Sequence, residues 1–312
     1  MIAEPLDFSP EAVARLQTVG EVTLRVCDRN ELRAAFQEFE VVWFRLAHRI
    51  DGTFFSPNIK MRCRVLATPV TGLDHIDLSL CAANGVKVVS LRGEYEFLKT
   101  IRATAELTIG LTLALTRKIV PAASDVERGH WNRDEFRGSE LFGKTVGLVG
   151  VGRLGTIVAR YFRAFEMNVI GYDPRPDFPQ EVAERVGSLE ELLERSDVVS
   201  LHVNYNEQTR HLMGADQFAR MKPSAVLINT SRGGVVDEGA MLSSLDSGRL
   251  AGVALDVLEG EPDIGADHPV IAYAKTHDNV LISPHIGGNT RESFARTELF
   301  LAERVLETLK TN

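Results

Sequence analysis

At 312 residues, 44% hydrophobic and 25% charged, the chain is long enough for two domains and too apolar for wholesale disorder. Its formal net charge of −8 argues against a nucleic-acid or anionic-membrane partner, and "MIAEPLDFSP" lacks the basic-then-apolar pattern of a signal peptide. Cys27, Cys63 and Cys81 fit neither a disulfide framework nor a zinc site and suit a reducing cytoplasm, while eight scattered histidines give no metal-ligand spacing, so no metal is expected.

Along the chain, "EVTLRVCD" (21–28) and "FEVVWFRL" (39–46) read as short apolar strands. "MRCRVLATPV" (61–70) reads as a third, followed by a Thr-Gly turn, a helix over 74–85 closed by Gly85, and the strand "VKVVSL" (86–91). A helical pattern then runs from about Thr100 to Lys118, and Pro121 predicts a break before a second helix through "AASDVERGHW". From Leu141 the strand–helix alternation restarts, with strand candidates in "TVGLVG", "NVIGYD", "DVVSLHV", "AVLINTS", "GVALDV" and "NVLISPH". The amphipathic helix "RESFARTELFLAERVLETLK" has no strand of its own and is expected to return to the N-terminal unit. The expectation is α/β, with two doubly wound parallel-sheet domains and a cleft between them. Residues 1–99 and 287–312 would form a discontinuous flavodoxin-like substrate domain, and 100–286 a Rossmann dinucleotide-binding domain.

"TVGLVGVGRLG" supplies Gly150-x-Gly152-x-x-Gly155 after an apolar run and before the helix candidate "TIVARYFRAF". Gly150 allows the tight turn, Gly152 lets the backbone approach a pyrophosphate, and Gly155 lets helix and strand pack closely. Asp173, at the end of the next strand, would accept hydrogen bonds from ribose hydroxyls and repel a 2′-phosphate, favouring NAD over NADP; nearby Arg175 tempers this slightly.

Three further stretches follow in order: "INTSRGGVVDE" with Arg232, "ALDVLEGEP" with Asp256 and Glu261, and "SPHIGG" with His285. Each lies about one βα unit from the last, so the three loops should gather along the carboxyl edge of one sheet. A lone histidine packs more often than it moves protons, and a lone loop carboxylate is usually solvated. Gathered on one edge, an arginine has a fork that matches a carboxylate, and a histidine beside a glutamate can carry a proton.

With these motifs the chain resembles the D-isomer-specific 2-hydroxyacid dehydrogenase family, a phosphoglycerate dehydrogenase-like set. "TGLDHID" and "AELTIGLTLALTRK" carry the match outside the stretches above. The resemblance implies that Arg232 holds the substrate carboxylate, that His285 is the acid/base, and that Glu261 stands hydrogen-bonded behind it. It implies NAD contacts from Arg153, Leu154, Val203, Thr230 and Asp256, the last at the nicotinamide carboxamide. On the substrate side it implies Thr71 and Gly72, whose backbone N–H groups would hold the carboxylate, and Arg45, for which a solvated arginine after a strand is the alternative. It further implies a small-molecule 2-hydroxy or 2-oxo acid as partner and a homodimer paired through 100–127; because hydride transfer needs water excluded, the cleft is expected to close about hinges near Thr100 and Gly287.

The sequence departs from the family at "LRGEYEFLKTIRAT" (91–104), which is longer than usual and could offer Arg92 or Lys99 to a substrate or act only as a hinge or subunit contact. Leu107 and Asn204 stand where histidine and proline are usual. Open alternatives are a non-enzymatic NAD-sensing scaffold or corepressor on the same fold, and a phosphite- or formate-type dehydrogenase. Glu261 disfavours formate, because that branch usually has glutamine there.

Overall fold

The computed structural model describes residues 1–55 and 60–310. The chain divides into two compact units, Met1–Ile101 with Asn289–Asn312, and Arg102–Gly288. Among the described residues no helix is long and apolar enough to cross a membrane.

In the first unit, β1 (Val41–Trp43), β2 (Val65–Thr68) and β3 (Lys87–Ser90) pair in parallel, with Val42 beside Leu66 and Leu66 beside Val88. Beyond β1, Ile2 bridges in parallel to both Trp43 and Leu24. The spatial order is therefore Leu24, Ile2, β1, β2, β3, the 2-1-3-4-5 order of a flavodoxin-like sheet. The stretch 21–28 contributes a single bridge residue rather than the strand expected. It lies at an open edge with Leu24 and Val26 exposed, so few ladder bonds hold it. The partner it needs, Met1–Ala3, is buried and was not expected to be a strand.

Helix starts are chemically marked. Ser9 caps Pro10–Leu16, Asp28 and Glu31 form a capping box at Arg29–Glu38, and Asp77 caps Leu78–Ala83. Gly85, at φ +70°, closes the last of these in the left-handed region. The C-terminal helix Arg291–Lys310 lies in this unit, burying Leu301, Ala302 and Val305 with Trp43 and Val65. The 91–104 stretch holds a short helix, Tyr95–Leu98, that fastens this C-terminal helix. Phe97 stacks on Phe300 with centroids 3.9 Å apart, and Arg304 pairs with Glu94 at 3.1 Å. Arg92 and Lys99 are exposed.

The second unit holds β4 (Thr145–Val149), β5 (Asn168–Tyr172), β6 (Glu184–Arg185), β7 (Val198–Leu201), β8 (Val226–Asn229), β9 (Gly252–Leu255) and β10 (Val280–Ile282). All the pairs are parallel, in the order β10-β9-β8-β7-β4-β5-β6. Strands β7, β8 and β9 are buried along their whole length because helices cover both faces. Strand order reverses between β4 and β7, the switch point where such sheets bind ligands.

Helix Ala103–Thr116 ends at Lys118, whose φ of +52° starts a new helix, Ile119–Glu127. The break thus precedes Pro121, which sits in the first turn of the second helix, where its missing N–H costs no hydrogen bond. The two-residue β6, exposed and charged, carries no apolar alternation and was not expected.

Candidate active site

The turn after β4 is built for close approach. Gly150 has φ +91°, and a Cβ there would lie 2.6 Å from the His202 carbonyl oxygen. A Cβ at Gly155 would lie 2.2 Å from the Gly150 oxygen. At Gly152, which caps helix Arg153–Ala164, the nearest atom would be Arg175 Nη2 at 3.4 Å. Two of the glycines are thus demanded by backbone packing, while the third leaves main chain open at a helix N-terminus, the arrangement a pyrophosphate needs. Arg153 and Leu154 form the first turn of that helix, both half-buried. Val203, also half-buried, follows β7. Part of the His202 surface is open, yet desolvation of its ring pushes the imidazole down to about 3, so it is neutral beside the turn, with Ser200 Oγ 2.9 Å from Nε2.

Asp173, 6% exposed at the end of β5, accepts from the Val151 N–H at 2.9 Å. Burial alone would raise its carboxyl, but Arg175 and the Val151 and Arg175 N–H groups outweigh it and hold the group below the usual range. Arg175 binds it through both Nε (3.0 Å) and Nη2 (2.8 Å), a fuller engagement than the slight tempering expected from sequence. Arg185 Nη2 reaches the Asp173 carbonyl at 3.1 Å, an addition to this corner supplied by the unforeseen β6.

The remaining loops follow β8, β9 and β10. Buried Asn229 pins the first, accepting from the Ser231 N–H and hydroxyl and donating to the Arg232 carbonyl at 2.9 Å. Arg232 is half-buried, with Nη1 donating to the Ser231 carbonyl at 2.8 Å. Directly after it, a Cβ at Gly233 would lie 1.9 Å from the Leu258 carbonyl carbon. The Arg232 turn and the Glu261 turn therefore pack backbone on backbone.

His285 Nδ1 lies 2.5 Å from Glu261 Oε2, each side chain a little over a quarter exposed. The other carboxylate oxygen accepts from the Leu258 N–H at 2.6 Å, so Glu261 is held at both ends. With Nδ1 engaged by the Glu261 carboxyl, Nε2 is the ring nitrogen left to meet a ligand. His285 adopts a left-handed φ of +53°, uncommon for a residue with a Cβ, and its N–H donates to the Asp256 carbonyl at 2.8 Å.

Asp256, 1% exposed, accepts from Ser283 Oγ (2.6 Å), the Ile286 N–H (2.8 Å) and the Gly287 N–H (2.8 Å). Burial pushes its carboxyl up against the pull of these bonds. Its carboxylate thus fastens the loop that carries His285, a task the sequence did not reveal. Thr230 is buried, 2.9 Å from Thr108 Oγ1.

The other site candidates lie in the first unit. Thr71 is exposed and Gly72 half-buried, both following β2. Arg45 is no solvated arginine. It donates to fully buried Glu298 at 2.6 Å and to the Leu6 carbonyl at 3.1 Å, and stacks 4.1 Å over Phe294. Burial nonetheless pushes the Glu298 carboxyl up despite the Ser9 N–H and Arg45 bonds.

The model of the "D-isomer specific 2-hydroxyacid dehydrogenase, NAD binding domain" matches residues 109–287. The chain is 35% identical to D-3-phosphoglycerate dehydrogenase of Methanocaldococcus jannaschii, over 99% of this chain and 57% of that protein. It is 32% identical to hydroxypyruvate reductase of Thermotoga maritima, over 99% and 97% of the two chains. The crystal structure of D-lactate dehydrogenase from Aquifex aeolicus, complexed with NAD and lactic acid, superposes with a TM-score of 0.83 at 28% identity, covering 99% and 95%. The chain spans little more than half the length of the archaeal phosphoglycerate dehydrogenases it matches. On this footing, the chain belongs to the D-isomer specific 2-hydroxyacid dehydrogenase family, and its second unit carries that family's NAD-binding domain.

Proposed function

We propose that this protein is an NAD-dependent oxidoreductase that interconverts a D-2-hydroxy acid and its 2-oxo acid. The observation that carries the reading is the 2.5 Å contact between His285 Nδ1 and Glu261, on a turn packed against the one that bears Arg232. Arg232 grips the substrate carboxylate through its planar fork. As negative charge grows on the 2-oxo oxygen, protonated His285 donates from Nε2, and Glu261 steadies the charge of the imidazolium before transfer. In the reverse direction neutral His285 accepts the hydroxyl proton. Reduction should therefore fall, and oxidation rise, as pH increases.

A bound nicotinamide cofactor would supply the hydride as NADH in reduction and accept it as NAD+ in oxidation. Gly150, Gly152, Arg153, Leu154 and Gly155 would cradle its pyrophosphate, Asp173 its adenosine ribose, and Val203 and Thr230 would line the path to the nicotinamide. Asp256 would contribute there chiefly by fixing the 283–287 loop. Thr71 and Gly72 N–H groups would add to the carboxylate site. Arg45, held by Glu298, would not reach freely for a ligand. The names of the relatives favour small polar acids such as hydroxypyruvate, glyoxylate and D-3-phosphoglycerate.

Free, buried cysteines support a reducing, cytoplasmic setting. Burial pushes the Cys63 thiol up to about 12 and Cys81 up to about 11, so both stay protonated. A homodimer is supported by apolar side chains left exposed on helix Ile119–Glu127 (Ile119, Val120, Val126) and by Trp131, 85% exposed.

The test follows NADH absorbance with a panel of 2-oxo acids, using His285→Ala as control. Turnover lost by about 100-fold or more in the variant is the expected result. NADH binding without turnover on any acid would instead favour the scaffold reading, and turnover with phosphite or formate alone would move the reaction class.

A further inference from the structure

Behind the Glu261 turn lies a second group of titratable side chains that the proposed reaction does not use. Glu238 begins helix Glu238–Asp246, a few residues beyond Arg232. Its Oε1 accepts from the Glu259 N–H at 2.8 Å, and its Oε2 lies 3.4 Å from His268 Nε2. Both side chains are largely buried, 15% and 14% exposed. His268 Nε2 also lies 3.3 Å from the Glu259 carbonyl, so His268 and Glu238 flank one peptide segment. The Glu259 carboxylate points elsewhere, to His211 Nε2 at 3.0 Å. His211 in turn belongs to a loop whose N–H groups donate to the Gly234 and Val235 carbonyls, on the turn beside Arg232.

Two successive N–H groups of one turn are thus taken by two carboxylates, Leu258 by Glu261 and Glu259 by Glu238. A left-handed Gly260, at φ +98°, separates them from Glu261. A turn this short moves as a unit, and displacing the Glu259 peptide displaces the carboxylate two residues on. We propose that Glu238 is a positioning residue for the His285–Glu261 pair, holding the Leu258–Glu261 turn by its bond to the Glu259 N–H and so setting where Glu261 meets His285.

Holding a buried carboxylate here has a cost, because Glu259 and Glu261 add negative charge. Burial first, then these neighbours, push the Glu238 carboxyl up, against the pull of the Glu259 N–H and His268. A carboxylate kept in such a place needs a use beyond solvation. The groups facing it are Glu259, Glu261 and His268, and Asp256 faces His285.

The inference rests on the acid/base reading of His285. Its test compares Glu238→Ala, Glu238→Gln and His285→Ala on the best 2-oxo acid. Glu238→Ala should lower kcat for reduction about 10-fold to 100-fold. KM for the 2-oxo acid should change little, because Arg232 and not Glu261 grips its carboxylate. NADH affinity by fluorescence titration should be unchanged. Glu238→Gln keeps an acceptor for the Glu259 N–H and should recover most of the rate. If Glu238→Ala does not fold, Glu238→Asp, one methylene short, should show the same loss of kcat with KM kept.

Wild-type kcat in Glu238→Ala, or a KM that rises as far as kcat falls, would overturn the proposal. So would a Gln variant as impaired as Ala, or a loss of NADH affinity in step with kcat, which would mark a general structural role. Normal Glu238 variants beside an inactive His285→Ala would sink this inference alone. An active His285→Ala would sink the acid/base reading itself.

Discussion

At the scale of single residues, the nucleotide corner turns on one carboxylate and the cation it already holds. Asp173 is clasped by Arg175 through two nitrogens, and Arg175 lies over Gly152. A ribose that takes up Asp173 must share it with that arginine, whereas a 2′-phosphate would meet the carboxylate's charge. Removing the carboxylate takes away the charge that repels a phosphate and leaves the Arg175 cation beside Gly152 to attract one. Asp173→Ala should therefore raise kcat/KM for NADPH relative to NADH by about tenfold or more, a gain of ~1.4 kcal/mol in discrimination. An unchanged ratio would show that Asp173 is structural. His202 gives a pH prediction at the same scale. Its folded value of about 3 lies below the ordinary 6.5, so the unfolded chain binds more protons between them. The stability it contributes is fully present above pH ~6.5 and is lost as pH falls towards 3. The fall in Tm with acid should be shallower in His202→Asn; an identical slope would assign acid sensitivity elsewhere.

At the scale of elements, the site is an interlock of turns. Gly233 lets the turn after β8 lie against the turn after β9, Glu261 ties the latter to the turn after β10, and Asp256 ties that last turn back to β9. Gly233→Ala must drive these backbones apart and should cost ~3 kcal/mol or more. A Tm loss of several degrees, with kcat falling further than the stability loss alone implies, is the expected outcome; a variant with wild-type Tm would show that the turns do not press on each other. Much of this was legible in the sequence because it depends on local rules. Glycine spacing, strand–helix alternation and the order Arg232, Glu261, His285 are all one-dimensional. The roles of Asp256, Glu238 and Arg185 were not, since each depends on which N–H or carbonyl a distant side chain meets. The edge elements Met1–Ala3 and β6 were missed, and the strand expected over 21–28 shrank to one bridge at Leu24, for a related reason: short, one-sided pairing leaves no reliable apolar period to read.

At the scale of the whole molecule, each unit is explained by its own sheet: a flavodoxin-like order for residues 1–101 with the C-terminal helix, and a seven-stranded parallel sheet among the described residues of the second unit. Of the stretch 91–104, residues 91–101 belong to the first unit, where Phe97 and Glu94 hold the C-terminal helix. The apolar residues exposed on Ile119–Glu127 predict a dimer mass in sedimentation at micromolar concentration, and a monomer there would contradict that assembly. The central claim is that His285 carries the proton. Its most direct measurement is the rate of the best 2-oxo acid and its hydroxy acid across pH, in wild type and His285→Ala. The account predicts reduction that falls and oxidation that rises with pH in the wild type, and both rates lost about 100-fold or more in the variant. Substantial turnover in His285→Ala, or the same pH trend in both directions, would contradict it.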